Sequence, residues 1–388
     1  MKHEPDTDEI LNGVADFSDV RVVHVVRQYA PNIGGLEDVV RNLAAKQNGR
    51  FAGLKVVTLD RLFTDLSARL PERESIDGIE VCRIPFRGST RYPLAPSVLG
   101  EIKNADLVHV HAVDFFYDAL ALSRFWHRKT LVATTHGGFF HTARFARLKQ
   151  VWFNSLTRLS SSQYSGIACC SQSDFDLFRK IAPRRTELIE NGVDLEKFGE
   201  AASVEPRKTL LTLGRFSTNK RLNLLLDLMK SLSTSEDNWT LHVAGVESDL
   251  TKNDILSRAQ SLGLGSRVYV HVGLSNQQLR DLIGQCSLFV SASDYEGFGL
   301  VLIEALSAGL IPVVHANQAF QSLSDSNPLI RLCDFEDAKK TASAVDSALQ
   351  DLLSDQSLRE RAVQSVQRYG WSHTAKKYDD LYTRALRL

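Results

Sequence analysis

Near-continuous apolar runs rich in β-branched residues recur along this chain, each followed by a helix-patterned segment. VRVVHVV (20–26), LKVVTL (54–59), IEVCRI (79–84), LVHVHA (107–112), TLVATT (130–135), GIACCS (166–171) and TELIEN (186–191) form a first series. After the polar stretch NGVDLEKFGEAASVEP, a second follows: TLLTLG (209–214), TLHVAG (240–245), RVYVHVG (267–273), LFVSAS (288–293) and IPVVHA (311–316). Strands that do not alternate polar with apolar are buried on both faces, and the intervening helices supply the covering layers. The pattern predicts an α/β chain of two Rossmann-like, doubly wound parallel sheets facing a central cleft. Over 388 residues the expected division is a flexible leader at 1–19, a first domain at 20–198 and a second at 199–371. The last segment, about 372–388, has an apolar side with Tyr378, Leu381 and Tyr382, and is expected to cap one of the two domains, either by packing back onto the first or by covering the second. Ligands in such sheets bind beyond the carboxyl ends of the strands.

Composition removes several function classes. Lys plus Arg equal Asp plus Glu at 46 each, so the chain as a whole has no pull towards nucleic acid. The five cysteines lack C-x-x-C spacing and sit mostly in apolar runs, which points to a reducing, cytoplasmic setting. The acidic, polar start lacks the apolar core of a secretory signal. No uninterrupted apolar run approaches the roughly 18 residues that span a bilayer. One local imbalance stands out: the stretch from Arg124 to Arg185 is strongly basic, with Asp174 and Asp176 as its acids.

The most informative stretch is SASDYEGFGLVLIEALSAGLIPVV (291–314). A strand ends near Ser293, a polar loop carries Glu296, and Gly297, Phe298 and Gly299 let backbone approach a ligand ahead of a helix bearing Glu304. Free N–H groups and positive dipole character at such a helix start, about 0.3–1 kcal/mol per favourable charge, suit a phosphate. In RQYAPNIGGLEDVV, Gly34 and Gly35 stand between a strand and a helix where a shorter turn would do.

Glu296 and Glu304, with seven residues between them, form an E-x7-E signature, and the chain resembles the retaining GT-B glycosyltransferases of family GT4. TLGRFSTNKRLNLLL resembles that family's G-R-x(4)-K element and supplies Arg215 and Lys220; IENGVDLEKF, TTHGG with His136, and PNIGG match further family segments in the same order. VVHVVRQYAPNIGGLEDVV, GSTRYPLAPSVLG, DFFYDALAL and THGGFFHT are similar to the bacterial α-mannosyltransferases of xanthan and acetan assembly. The resemblance implies mannose transfer from GDP-mannose to a cellobiosyl-diphospho-polyprenol, a lipid-linked saccharide acceptor. A UDP-sugar with another acceptor, or a sugar-nucleotide epimerase, remains an alternative, because physics does not choose the base.

The resemblance gives each candidate a role. The transition state gathers negative charge on the departing diphosphate, and Arg215 and Lys220 would hold it through charge-assisted hydrogen bonds worth roughly 1.5–3 kcal/mol each. Gly34 and Gly35 would let a loop approach the donor where a side chain would obstruct it. Glu296 would accept from sugar hydroxyls, Glu304 from ribose hydroxyls, and His136 would shape the reacting face; Ser171 would touch the donor or the domain interface. Retention by front-face attack requires no carboxylate nucleophile.

No metal is expected: D-T-D at 6–8 lies in the leader, and D-F-D at 174–176 directs its carboxylates to different sides of a helix. GGFFHTARFARLKQVWFNSLTR interleaves aromatic and basic residues, so the segment 139–158 is expected to meet an anionic membrane surface, placing the protein peripherally at the inner face of the cytoplasmic membrane. A dinucleotide-dependent oxidoreductase fails for want of a G-x-G-x-x-G after any strand. A glycosidase built on the two glutamates and a non-catalytic binding module are the other readings to separate.

Overall fold

The computed structural model describes residues 16–32, 34–90, 92–137, 150–232 and 238–388. They form two compact units: one runs up to Gly192 and takes in Trp371–Leu388, the other is Val193–Gly370.

The first unit holds strands β1 (Arg21–Val25), β2 (Gly53–Leu59), β3 (Arg73–Ile76), β4 (Ile79–Ile84), β5 (Arg87–Ser89), β6 (Tyr92–Leu94), β7 (Leu107–His111), β8 (Thr130–Thr134), β9 (Gly166–Cys169) and β10 (Thr186–Leu188). Eight of them make one sheet in the order β10-β9-β8-β7-β1-β2-β4-β3, while β5 and β6 pair separately. Every neighbour in the large sheet is parallel except β3 with β4. That antiparallel edge departs from the all-parallel expectation, and its signal is local: Asp77 and Gly78, both at positive φ, make the two-residue turn that a D-G pair favours. The side chains of β1 and β7 at the centre are buried along nearly their whole length, as strands covered on both faces must be.

The helix Trp371–Leu386 lies on this unit and buries Trp371, Thr374, Ala375, Tyr378, Leu381 and Tyr382. Its close approach explains two glycines. A Cβ on Gly166 would stand 2.3 Å from Leu381, and one on Gly192 would stand 2.5 Å from the Trp371 ring. At the other end, residues 1–15 of the expected leader lie outside the described residues, while Phe17 is buried and stacked on Phe51 at 4.8 Å, so packed chain begins before residue 20.

The second unit contains β11 (Thr209–Phe216), β12 (Thr240–Glu247), β13 (Val268–Val272), β14 (Leu288–Ser291), β15 (Ile311–His315) and β16 (Arg331–Cys333), all parallel, in the order β13-β12-β11-β14-β15-β16. Strand order runs outward in both directions from β11 and β14, so the topological switch point lies between them. Helix Leu222–Leu232 shows why the layer forms: Leu222, Leu225, Leu226, Met229 and Leu232 recur at helical spacing and are all buried. Each such burial contributes about 1.5–3 kcal/mol. Val193 and Phe198 belong to this core, which moves the boundary to 192/193 from the expected 198/199. No helix among the described residues is long and apolar enough to cross a membrane.

Candidate active site

In the second unit the carboxyl ends of β11 and β14 carry the charged motif residues. A short helical turn, Thr218–Lys220, follows β11, and the loop 292–299 follows β14. Asn219 joins them: its amide donates to the Tyr295 carbonyl (2.8 Å), its side-chain oxygen accepts from the Tyr295 N–H (3.1 Å), and its own carbonyl accepts from the Asp294 N–H (3.0 Å). The join delivers Lys220 Nζ to Glu296 Oε1 at 2.6 Å, with side-chain exposures of 17% and 15%. Lys220 also lies over Gly214, which has φ +139; a Cβ there would sit 3.0 Å from Lys220 Cε. The ion pair therefore spans the switch point, over a backbone position that glycine keeps open.

Glu304 projects from helix Leu300–Ser307 and meets Lys197 Nζ at 3.2 Å. Lys197 lies within IENGVDLEKF, but its partnership with Glu304 depends on a contact across 107 positions. Gly297 is exposed, and a Cβ on it would meet nothing within 4 Å, so backbone there is accessible. Gly299 has a different reason to be glycine: φ is +87, and a Cβ would meet Leu323 and Phe320 at 3.0 and 3.2 Å. Phe298 packs edge-on against Tyr369, with ring centroids 5.9 Å apart. Arg215 is exposed near the end of β11 and makes no ion pair among the described residues.

In the first unit, His136 follows β8 in the left-handed region at φ +55. Asp174 holds the backbone on both sides of it, accepting from the Thr135 hydroxyl and from the Gly137 N–H (2.9 Å). This carboxylate of D-F-D is thus a loop anchor. Ser171 caps helix Gln172–Phe178 by accepting from the Asp174 N–H at 3.2 Å, so its hydroxyl is engaged in folding the same corner. His136 Nε2 lies 3.0 Å from His111 Nδ1, and behind His111 stand His24 and His109. Burial pushes His136 down to about 3 and His24 to about 4, and His109 and His111 well below the ordinary imidazole value. Asp114, buried at the start of helix Phe115–Leu122, is pushed up to about 7 by the same desolvation.

Gly34 and Gly35 open helix Gly35–Gln47. A Cβ on Gly34 would stand 2.5 Å from the Glu37 carboxylate, while one on Gly35 would meet nothing within 4 Å. The obstruction expected at both positions thus arises at Gly34 from the protein itself, and Glu37 is tied down by Asn32 at 2.6 Å.

Of the aromatic and basic segment 139–158, residues 139–149 lie outside the described residues. In the rest, Val151, Trp152 and Arg158 are exposed and Phe153 is buried. Sequence reasoning missed Phe125 and Trp126, 66% and 72% exposed, which stand beside Arg124, Arg128 and Lys129. Two adjacent aromatics flanked by cations were the available signal.

Residues 33–197 match the family model described as Glycosyltransferase Family 4, and residues 194–367 match that described as Glycosyl transferases group 1. The chain is 43% identical to the GDP-mannose:cellobiosyl-diphosphopolyprenol alpha-mannosyltransferase of Xanthomonas campestris over 95% of this chain and 97% of that one. It is 41% identical to the protein of the same description from Komagataeibacter xylinus, over 95% and 94%. Among solved structures, a glycosyltransferase from Rickettsia africae superposes with a TM-score of 0.72 at 17% identity, covering 96% of this chain and all of that one. Anabaena HepE in complex with UDP gives 0.71 at 18% identity, covering 94% and 99%.

Proposed function

This chain belongs to the family 4 glycosyltransferases, and we propose that it transfers mannose from GDP-mannose to cellobiosyl-diphosphopolyprenol with retention of configuration. The observation that carries the reading is the identity of 43% over 95% of the chain to a relative so described. The ion pair at the switch point fits it, because Lys220 can exchange Glu296 for a donor phosphate while Glu296 turns to the sugar hydroxyls.

In this reading Lys220 and Arg215 take up the charge of the departing GDP, joined by backbone N–H groups at Gly297 and Gly299. Glu304 binds ribose hydroxyls in competition with Lys197, and Glu296 hydrogen-bonds the sugar; His136 has the hydrogen-bonding role that its motif implies. The glycosidic bond to GDP breaks, the acceptor hydroxyl bonds to the anomeric carbon from the same face, and its proton passes to the leaving phosphate. Side-chain cations do the work that a divalent ion does elsewhere, so no metal is required.

The polyprenyl acceptor resides in a membrane, and the protein reaches it as a peripheral protein at the inner face. Exposed Trp152, Phe125 and Trp126, with Arg124, Arg128, Lys129 and Arg158, suit an anionic surface, where each nearby cation contributes about 1 kcal/mol.

The test is to incubate the full chain with GDP-mannose and cellobiosyl-diphosphopolyprenol, with UDP-glucose and the same acceptor, and with each donor alone. A mannosylated lipid from GDP-mannose supports the reading. Transfer from UDP-glucose alone rejects the donor, and isomerised sugar without acceptor makes the protein an epimerase.

A further inference from the structure

Three histidines cluster in the sheet of the first unit because β1 and β7 are register neighbours: His24 pairs with His109, and His111 follows two residues later. Ligand atoms of all three lie within 4.8 Å of one another, a spacing a metal ion could use. Their ring nitrogens, however, are already matched. His109 bonds the Tyr382 hydroxyl through Nδ1 (2.7 Å) and the Thr134 hydroxyl through Nε2 (2.8 Å). The other two belong to a line: Gln47 Oε1 to His24 Nε2 at 2.8 Å, His24 Nδ1 to His111 Nε2 at 2.9 Å, and His111 Nδ1 to His136 Nε2 at 3.0 Å.

A neutral imidazole has one donor nitrogen and one acceptor, so the state of one end of such a line dictates the other. Gln47 presents its carbonyl oxygen to His24, which must donate from Nε2 and is left with a lone pair on Nδ1. His111 then donates from Nε2 into that lone pair, and His136 donates from Nε2 into the lone pair of His111. We propose that Gln47, acting through His24 and His111, fixes His136 as the Nε2–H tautomer, so that its Nδ1 offers a lone pair to a hydroxyl-bearing ligand. Among the described residues, the side-chain hydrogen bond of His136 is the one through Nε2 to His111, which leaves Nδ1 for a ligand. Burial supports the assignment by keeping every ring in the line neutral. That the ligand is a sugar rests on the function proposed above; the tautomer does not. Gln47, His24 and His111 are positioning residues in this scheme. They select a ligand that donates a hydrogen bond over one, such as a phosphate oxygen, that only accepts.

The experiment is long-range proton–nitrogen correlation NMR on the full chain labelled with 15N-histidine at pH 7.5, with His136→Gln identifying the His136 signals. The expected spectrum shows His136 neutral with its proton on Nε2. Gln47→Met, which keeps the volume and removes the acceptor, should turn this into a tautomer mixture and lower kcat about tenfold or more, with the donor KM within a factor of about two. Tyr378→Phe removes a buried hydroxyl bonded to Thr134, off the line, and should leave the tautomer fixed. A proton on Nδ1, an imidazolium, or a tautomer indifferent to Gln47→Met overturns the proposal. So does a stoichiometric metal ion that a chelator removes with a change in the His24 and His111 signals. If Gln47→Met does not fold, the unmodified protein's spectrum still decides. The expected spectra without glycosyl transfer would sink the proposed function and leave the relay standing.

Discussion

In the unit Val193–Gly370, the polar groups beyond the strand ends are ions that face each other, Lys220 with Glu296 and Lys197 with Glu304. In the unit that begins the chain, the polar line runs from inside the sheet outward and is made of imidazoles held neutral, His24 within β1, His111 at the end of β7 and His136 past β8, linked to an amide. An ion pair whose members keep some exposure is an exchangeable arrangement, since an incoming charged ligand supplies the charge of the partner it replaces. A buried neutral line cannot be rearranged so easily, because any ring that reverses leaves its neighbour without a donor or an acceptor. The comparison teaches that one unit is prepared to accept charge and the other to keep a fixed hydrogen-bonding face.

The contrast is tested most severely at Lys220. Lys220→Ala removes the cation meant for the leaving diphosphate and should lower kcat by on the order of a hundredfold or more, measured as initial rates of mannosyl transfer. Unchanged kinetics would remove Lys220 from the mechanism and, with it, the claim that this unit receives charge. Next in size is Asp174→Ala. Two hydrogen bonds that hold the left-handed His136 turn disappear. Each is worth about 1 kcal/mol, so urea unfolding should show a loss of about 2 kcal/mol, accompanied by a fall in kcat. Lost stability with full activity would show that the posture of His136 does not matter to the reaction.

How far these features can be read in advance depends on whether they are local in sequence. Alternating apolar strands and helices disclose both sheets, and the positions of Glu296, Gly297 and Lys220 follow from short motifs. The relay does not follow, because His24, His111 and His136 are far apart in the chain and are brought together by the parallel register of β1, β7 and β8, while Gln47 reaches His24 from the end of a helix. Asn219 and Lys197 escape notice for the same reason: each acts on a partner more than seventy positions away. Gly299 carries a second demand that its motif does not disclose. The motif suggests an approach for ligand, and in addition its φ and the nearness of Phe320 and Leu323 require glycine whatever binds there.

Acid should act on the first unit with two opposite signs. The folded pKa of His24 and of His136 lies below the unfolded value of 6.5, at about 4 and about 3, so the stability these rings hold is complete above pH 6.5 and is lost as pH falls towards those values. Asp114 has the opposite sign. Its folded pKa, raised to about 7, makes the folded state bind the proton more tightly, so its penalty is absent below about pH 4 and full above pH 7. Asp114→Asn keeps a side-chain acceptor for the Phe116 N–H and removes the buried charge. It should therefore gain on the order of 1 kcal/mol at pH 8 and nothing at pH 4 in thermal unfolding. A gain independent of pH would mean that Asp114 is already protonated, or solvated, throughout.

The smallest effect concerns a surface on the first unit alone. Phe125 and Trp126 project into solvent beside Arg124, Arg128 and Lys129, and no comparable pair of adjacent exposed aromatics occurs among the described residues of the second unit. Aromatic rings at a lipid interface add apolar burial to the attraction of the cations, and the two terms answer to different perturbations. Replacing both rings, Phe125→Ser with Trp126→Ser, should weaken sedimentation with phosphatidylserine-containing vesicles several-fold at any salt concentration. Raising salt should weaken binding of the unaltered chain through the cations alone. Transfer to a water-soluble acceptor analogue should be unaffected by the double replacement, since neither ring touches the groups assigned to the chemistry. Equal vesicle binding before and after replacement would leave the basic residues as the only membrane contact, and would erase this difference between the units.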